Sequence, residues 1–118
     1  MFVKCFLLGY NIFGDYMYIV KNNQKINVKY CNNFFNKCIG FMFQKRKNYA
    51  LYFKNCNSIH TFFCFFHIDV YLLDKNNNIL YSYYNLKKNK IILPKKGVEN
   101  ILEVPSNLIK NFTIKDDN

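Results

Sequence analysis

At 118 residues the chain has room for one domain and not two. Apolar residues make up 51% and aromatics 19%, all of them Phe or Tyr, which excludes disorder for the body of the chain. The net charge of +10 suggests a polyanionic partner, but Lys supplies nearly all of it and Arg46 is the single arginine. The planar fork of Arg is what reads phosphate or guanine in pairs of contacts, so scattered Lys reads more simply as a solvated surface.

Residues 16–20 and 25–30 read as a hairpin around Asn22-Asn23. Ile26, Val28 and Tyr30 alternate with Lys25, Asn27 and Lys29, the period of a half-buried strand. Asn32 or Asn33 is placed to cap a short helix, along which Phe34, Phe35, Cys38, Ile39 and Met42 share one face. Residues 50–53 form a short strand candidate, and residues 58–73 a longer extended stretch rich in aromatic and β-branched side chains. Residues 74–78 carry turn chemistry, and 79–84 return as a strand. Residues 87–90 form a basic loop, then 91–93 and 98–104 form a hairpin across Pro94-Lys95-Lys96-Gly97. Pro105 ends that strand, and Ser106 is placed to cap a closing helix through Phe112, ahead of a polar tail at 115–118. The expected architecture is a single α+β domain over 1–118: a mainly antiparallel, partly closed and barrel-like sheet with two short helices.

Two blocks in the middle of the chain carry a resemblance. Lys37-Cys38-Ile39-Gly40-Phe41-Met42 looks like an Arg-x-x-Gly-Leu-Met block. Ile59-His60-Thr61-Phe62-Phe63-Cys64, followed by His67-Ile68-Asp69-Val70 and Leu73-Asp74, resembles Ile-His-Thr-Phe-Phe-Met leading to Pro-Ile-Asp-Val and Leu-Asp. A weaker match is Ile101-Leu102-Glu103-Val104-Pro105, close to Leu-Glu-Leu-Pro. Together these resemble the domain-of-unknown-function family 192, also known as uncharacterised protein family 0127, over a core of about 25–114. The resemblance implies a compact antiparallel domain with flanking helices and no assigned reaction. Lys37 departs from the pattern's Arg, Phe41 from Leu, Cys64 from Met and His67 from Pro.

Cys56, His60, Cys64 and His67 are the residue types of a tetrahedral zinc site. A strand splits them, with His60 and Cys64 on one face and His67 on the other, so neither metal nor cofactor is expected. Cys64 with His60 would be a nucleophile pair, but nothing nearby orients it and Cys64 reads as core. Asp69 interrupts an apolar run, and a buried carboxylate needs a partner. The candidate binding residues are therefore His60, Thr61 and Asp69, with Lys37 and Gly40 from the first block.

The sequence contains no G-x-S-x-G, P-loop, dinucleotide or HExxH motif. A non-enzymatic binding or accessory module, holding a small ligand near Asp69, is the favoured function. A basic RNA-associated protein follows, using Lys45-Arg46-Lys47, residues 87–90 and Tyr81, Tyr83 and Tyr84. A hydrolytic domain built on the His60, Thr61 and Asp69 region comes third. Five cysteines, an odd number without a CxxC, point to a reducing cytoplasmic setting. The start of the chain does not resemble a signal peptide, and the longest apolar run, 62–73, is too short to span a membrane and contains His67 and Asp69.

Overall fold

The computed structural model describes residues 3–4, 7–10, 16–21, 24–31 and 40–108, with side-chain environments for 26–31 and 40–108. Ten strands lie along it: β1 (Val3–Lys4), β2 (Leu7–Tyr10), β3 (Tyr16–Lys21), β4 (Gln24–Cys31), β5 (Ala50–Lys54), β6 (Ile59–His60), β7 (Ile68–Leu73), β8 (Asn78–Leu86), β9 (Ile91–Ile92) and β10 (Asn100–Pro105). Eight of them form one sheet in the order β1-β8-β7-β10-β5-β4-β3-β2, while β6 and β9 pair as a separate ribbon. Every pairing is antiparallel except β4 with β5.

The middle of the sheet is β10, between β5 and β7. All six of its residues are buried, as are five of the six in β7. A strand buried on both faces needs apolar residues at successive positions, not alternate ones; Val-Tyr-Leu-Leu supplies them in β7, and Ile101, Leu102 and Val104 supply them in β10, with Glu103 the exception. Alternate side chains feed two cores. Val28, Ala50, Tyr52, Tyr71, Leu73, Leu102 and Val104 build one. Leu51, Phe53, Ile68, Val70, Leu72 and Ile101 build the other, against which Phe41, Cys64, Ile92 and Val98 pack from outside the sheet.

The hairpin around residues 22–23 has the expected register, Lys21 opposite Gln24, and Ile26 and Val28 are buried while Asn27 and Lys29 are exposed. The turn after β7 is built by Asp74, whose Oδ1 accepts from the amides of Asn76 (2.8 Å) and Asn78 (2.9 Å).

Three expectations are corrected. The described residues contain no helix, and the sheet is open, with β1 and β2 at opposite edges, so neither the α+β class nor a barrel-like closure holds. The first expected helix falls largely on 32–39, outside the described residues, and its end at 40–43 is a turn. The second begins at Ser106, where the described chain turns, and its remainder is also outside them. The extended stretch 58–73 is two strands, because a turn at Phe62-Phe63 breaks it. Finally, β9 and β10 are not a hairpin: β9 pairs with β6, and β10 with β5 and β7. Among the described residues no helix is long and apolar enough to cross a membrane.

Asn100 fastens the end of β10. Its Oδ1 accepts from the Asn55 amide (3.1 Å), and its Nδ2 donates to the Asp74 carbonyl and to Asn77 Oδ1 (both 3.1 Å). Tyr52 donates to the same Asn77 oxygen at 2.7 Å. Replacing Asn100 by Ala strips partners from groups at a nearly closed site, so Asn100→Ala is expected to destabilise by about 2–3 kcal/mol in urea unfolding. A loss below roughly 0.5 kcal/mol, the range of an ordinary surface substitution, would contradict this role.

Candidate functional site

Parity along β10 sets the site. Ile101 points into the core beneath Phe41, Cys64 and Ile92, so Glu103, two residues on, points to the same side. Glu103 is 4% exposed and lines a cavity of about 470 Å³. Its walls are apolar: Phe41, Met42, Ile59, Cys64 and Ile68 inside, with Phe62, Ile91, Leu93 and Pro94 outward. The outward four are exposed and mark the mouth. Ser58 and His60 add the few polar groups besides Glu103.

No hydrogen bond to the Glu103 carboxyl is made from the described residues, and burial pushes its pKa up to about 8. At neutral pH it is therefore mainly the uncharged acid, able to donate one hydrogen bond and accept others. Gly40 lies beside it: a Cβ there would stand 3.5 Å from Glu103 Oε1, an ordinary contact. The backbone at Gly40 is left-handed (φ 50°), so glycine serves the turn.

The sequence-derived residues separate. His60 is half-buried in the cavity wall, its ring stacked on Phe62 at 5.0 Å, and its Nδ1 accepts from the Phe62 amide (3.2 Å). Nε2 is the ring's remaining polar atom. Gly40 lies in the same wall. Thr61 is buried but committed elsewhere: its hydroxyl donates to the Lys87 carbonyl (2.6 Å) and accepts from the Lys90 amide (2.8 Å). Those bonds hold the 87–90 loop against the turn that follows β6.

Asp69 sits on the opposite face of β7 from Ile68 and Val70, with Tyr71 and Leu73. Register shows why it is there. Ile68 pairs with Leu86 and Val70 with Tyr83, so two residues of β8 oppose Asp69 alone, a β-bulge. The bulge leaves the Asn85 amide unpaired, and Asp69 Oδ1 accepts from it at 2.9 Å and from Ser106 Oγ at 2.8 Å. Lys37 lies outside the described residues.

The thiols are poor nucleophiles. Burial raises the pKa of Cys64, and Cys31 is pushed up to about 11, again chiefly by burial. Cys64 Sγ donates to the Phe66 carbonyl at 3.3 Å. Among the described residues no three His, Cys, Asp or Glu side chains stand together as metal ligands.

The residue sequence reasoning passed over is Glu103. It is a lone carboxylate in an apolar run, the same signal that drew attention to Asp69, and the strand's two-sided burial separates their roles.

Comparison with known proteins gives a family. The model of DUF192, described as uncharacterized ACR, matches residues 17–118. The UPF0127 protein TK1120 of Thermococcus kodakarensis is 32% identical over 95 residues, an alignment that takes in 75% of this chain and 60% of that protein. Two solved structures share the fold. One is a protein of unknown function from Novosphingobium aromaticivorans, with a TM-score of 0.63 and 9% identity, covering 79% of this chain and 74% of that one. The other is a putative transcription regulator from Sinorhizobium meliloti, with a TM-score of 0.66 and 12% identity, covering 79% and 81%.

The raised pKa has a consequence for stability. Folded Glu103 keeps its proton up to about pH 8, whereas an unfolded Glu releases it near ~4.3. The stability it contributes is full below the unfolded value and is lost as pH rises through the folded one, at up to about 1.4 kcal/mol per pH unit. Glu103→Gln has no proton to lose. In urea unfolding from pH 5 to 9 the variant is expected to gain on the parent chain as pH rises, levelling off above pH ~8. Parallel pH profiles for the two would show that Glu103 is solvated.

Proposed function

The chain belongs to the DUF192 family of uncharacterised proteins, and from that premise we propose that it is a non-enzymatic binding module for a small apolar molecule carrying an amine. The observation that carries this reading is the cavity of about 470 Å³ with apolar walls and one buried carboxyl, Glu103. Ligand sites have this form: a concave apolar space of roughly 300–1,000 Å³ with a few placed polar groups that fix orientation.

The chemistry of the polar group narrows the ligand. A carboxyl buried among Phe41, Cys64 and Ile68 is held neutral by the cost of desolvating its charge. An ammonium group beside it offsets that cost, because an opposite charge within about 4–6 Å favours the carboxylate. A ligand carboxylate does the reverse and meets repulsion as soon as Glu103 ionises. An alcohol forms a hydrogen bond without altering the charge. His60 Nε2, in the same wall, offers a second hydrogen-bonding group toward the head of the ligand.

Features of the other candidate residues support binding over hydrolysis. The Thr61 hydroxyl already donates to one backbone group and accepts from another, and the Cys64 thiol is held protonated by burial. A hydrolase needs a nucleophile within reach of a base, and these two are engaged in structural bonds.

Octylamine, octanol and octanoate share one tail and differ in the head. At a common millimolar concentration octylamine is expected to raise the melting temperature most, octanol less and octanoate least, through ligand linkage to the folded state. Glu103→Gln removes the preference for octylamine and leaves the response to octanol. Equal shifts from all three in the parent chain, or an undiminished amine preference in Glu103→Gln, would refute the assignment.

A further inference from the structure

Two phenylalanines stand in the left-handed backbone region, Phe43 with φ 60° and Phe63 with φ 58°. Bulky residues seldom adopt it, and such strain persists only where the surroundings enforce it. Here each closes a tight turn. Gln44 N donates to the Phe41 carbonyl at 3.3 Å around Phe43, and Cys64 N donates to the Thr61 carbonyl at 3.1 Å around Phe63. The two turns are locked together by the Phe43 amide, which donates to the Phe63 carbonyl at 2.9 Å. Their rings stack at 4.8 Å, yet Phe43 remains 62% and Phe63 53% exposed. Phe65, 65% exposed, packs edge-on against Phe43 at 6.3 Å.

The turns that carry these rings also supply the cavity lining with Met42 and Phe62. Phe62 belongs to the Phe63 turn, and Ile91, which pairs with His60, leads to Leu93; all three are exposed. The result is an apolar face whose backbone strain serves to hold aromatic side chains in water. Exposed patches of this sort mark interaction sites.

The charge around it is of one sign. Lys45 and Arg46 follow the Phe43 turn, and Lys87, Lys88 and Lys90 sit on the loop that Thr61 ties to the Phe62-Phe63 turn. All five are exposed. Neither residues 40–66 nor residues 87–96 contain a single Asp or Glu.

We propose that this face docks on the surface of an anionic lipid bilayer, with the exposed Phe, Ile and Leu side chains entering the headgroup boundary and the surrounding cations meeting the lipid phosphates. Apolar insertion combined with basic side chains is the chemistry of interfacial membrane binding. RNA fits the face less well. Phe43 and Phe63 spend their facing surfaces on each other, and Ile91 and Leu93 have no ring on which a base can stack. In the binding reading given above, docking turns the cavity mouth toward the bilayer, from which an apolar amine would enter; that last step rests on that reading, and the docking does not.

Sedimentation with large unilamellar vesicles tests the proposal. At about 0.15 M salt, the ionic strength at which charges are screened beyond ~8 Å, the chain is expected to bind phosphatidylglycerol–phosphatidylcholine vesicles and to leave pure phosphatidylcholine vesicles largely unbound. The double substitution Phe65→Ser with Leu93→Ser, and separately Lys88→Glu with Lys90→Glu, should each weaken binding at least ten-fold. All four side chains are exposed, so an unchanged melting temperature verifies that the fold is intact. Glu103→Gln should bind vesicles like the parent chain, which separates failure of docking from failure of the cavity reading. Absence of binding to anionic vesicles, equal binding to both vesicle types, or full binding by the Phe65/Leu93 variant would each overturn the proposal. Displacement of the chain from vesicles by equimolar poly(U) would overturn it in favour of RNA.

Discussion

A strand buried on both faces at the centre of an open sheet leaves its polar residues very little freedom. β10 is such a strand, hydrogen-bonded to β5 on one side and β7 on the other, and closed to solvent along its length. At its start Asn100 is satisfied by the turn after β7 and by the Asn55 amide. Just past its end Ser106 is satisfied by Asp69. Glu103 lies between, where both flanking backbones already spend their polar groups on the ladder. Its carboxyl is therefore turned into a cavity and held neutral. The position of the site follows from the parity of one strand, and the floor of the cavity is as rigid as the core beneath it.

Turn chemistry sorts the molecule in the same physical terms. Among the described residues seven non-glycine positions have positive φ, and five of them are Asn, the residue whose short polar side chain tolerates that region best. These five close ordinary turns and the bulge at Asn85. The remaining two, Phe43 and Phe63, have no such excuse. They are linked by a backbone hydrogen bond and a ring stack, so the strain of each turn is braced by the other. Strain held in this way raises exposed aromatics on turns that adjoin the cavity lining, where a relaxed turn of Asn or Gly would have placed small polar side chains.

How much of this was legible in the sequence depends on the range of the interaction involved. The hairpin ahead of Cys31, the strand from Ala50, the Asp74 turn and the stop at Pro105 are local features, set by period-two alternation or by a residue's effect on its own backbone, and they read correctly. The pairing of β9 with β6 is non-local, and its two-residue strands give no pattern to read. The break at Phe62-Phe63 has no Gly, Pro or Asn to announce it. Both carboxylates within apolar strands were visible as anomalies of type. What distinguishes them is a bulge that supplies Asp69 with an amide, and a bulge is a matter of register between strands. The expected helix at Asn32 and the role of Lys37 lie outside the described residues.

The departures of this chain from the DUF192-like blocks fall on both faces of the sheet. Phe41 in place of Leu and Cys64 in place of Met fall on the cavity wall, whereas Val104, in place of the second Leu of Leu-Glu-Leu-Pro, packs in the core on the other face. Of the two wall changes, one enlarges the side chain and the other shortens it, so they reshape the space more than they close it. His67 in place of Pro is exposed, and its carbonyl still accepts from the Ser106 amide at 3.0 Å, which keeps the backbone path into β7. The Glu of the Leu-Glu-Leu-Pro block is kept as Glu103, and the Gly of the first block as Gly40 beside it.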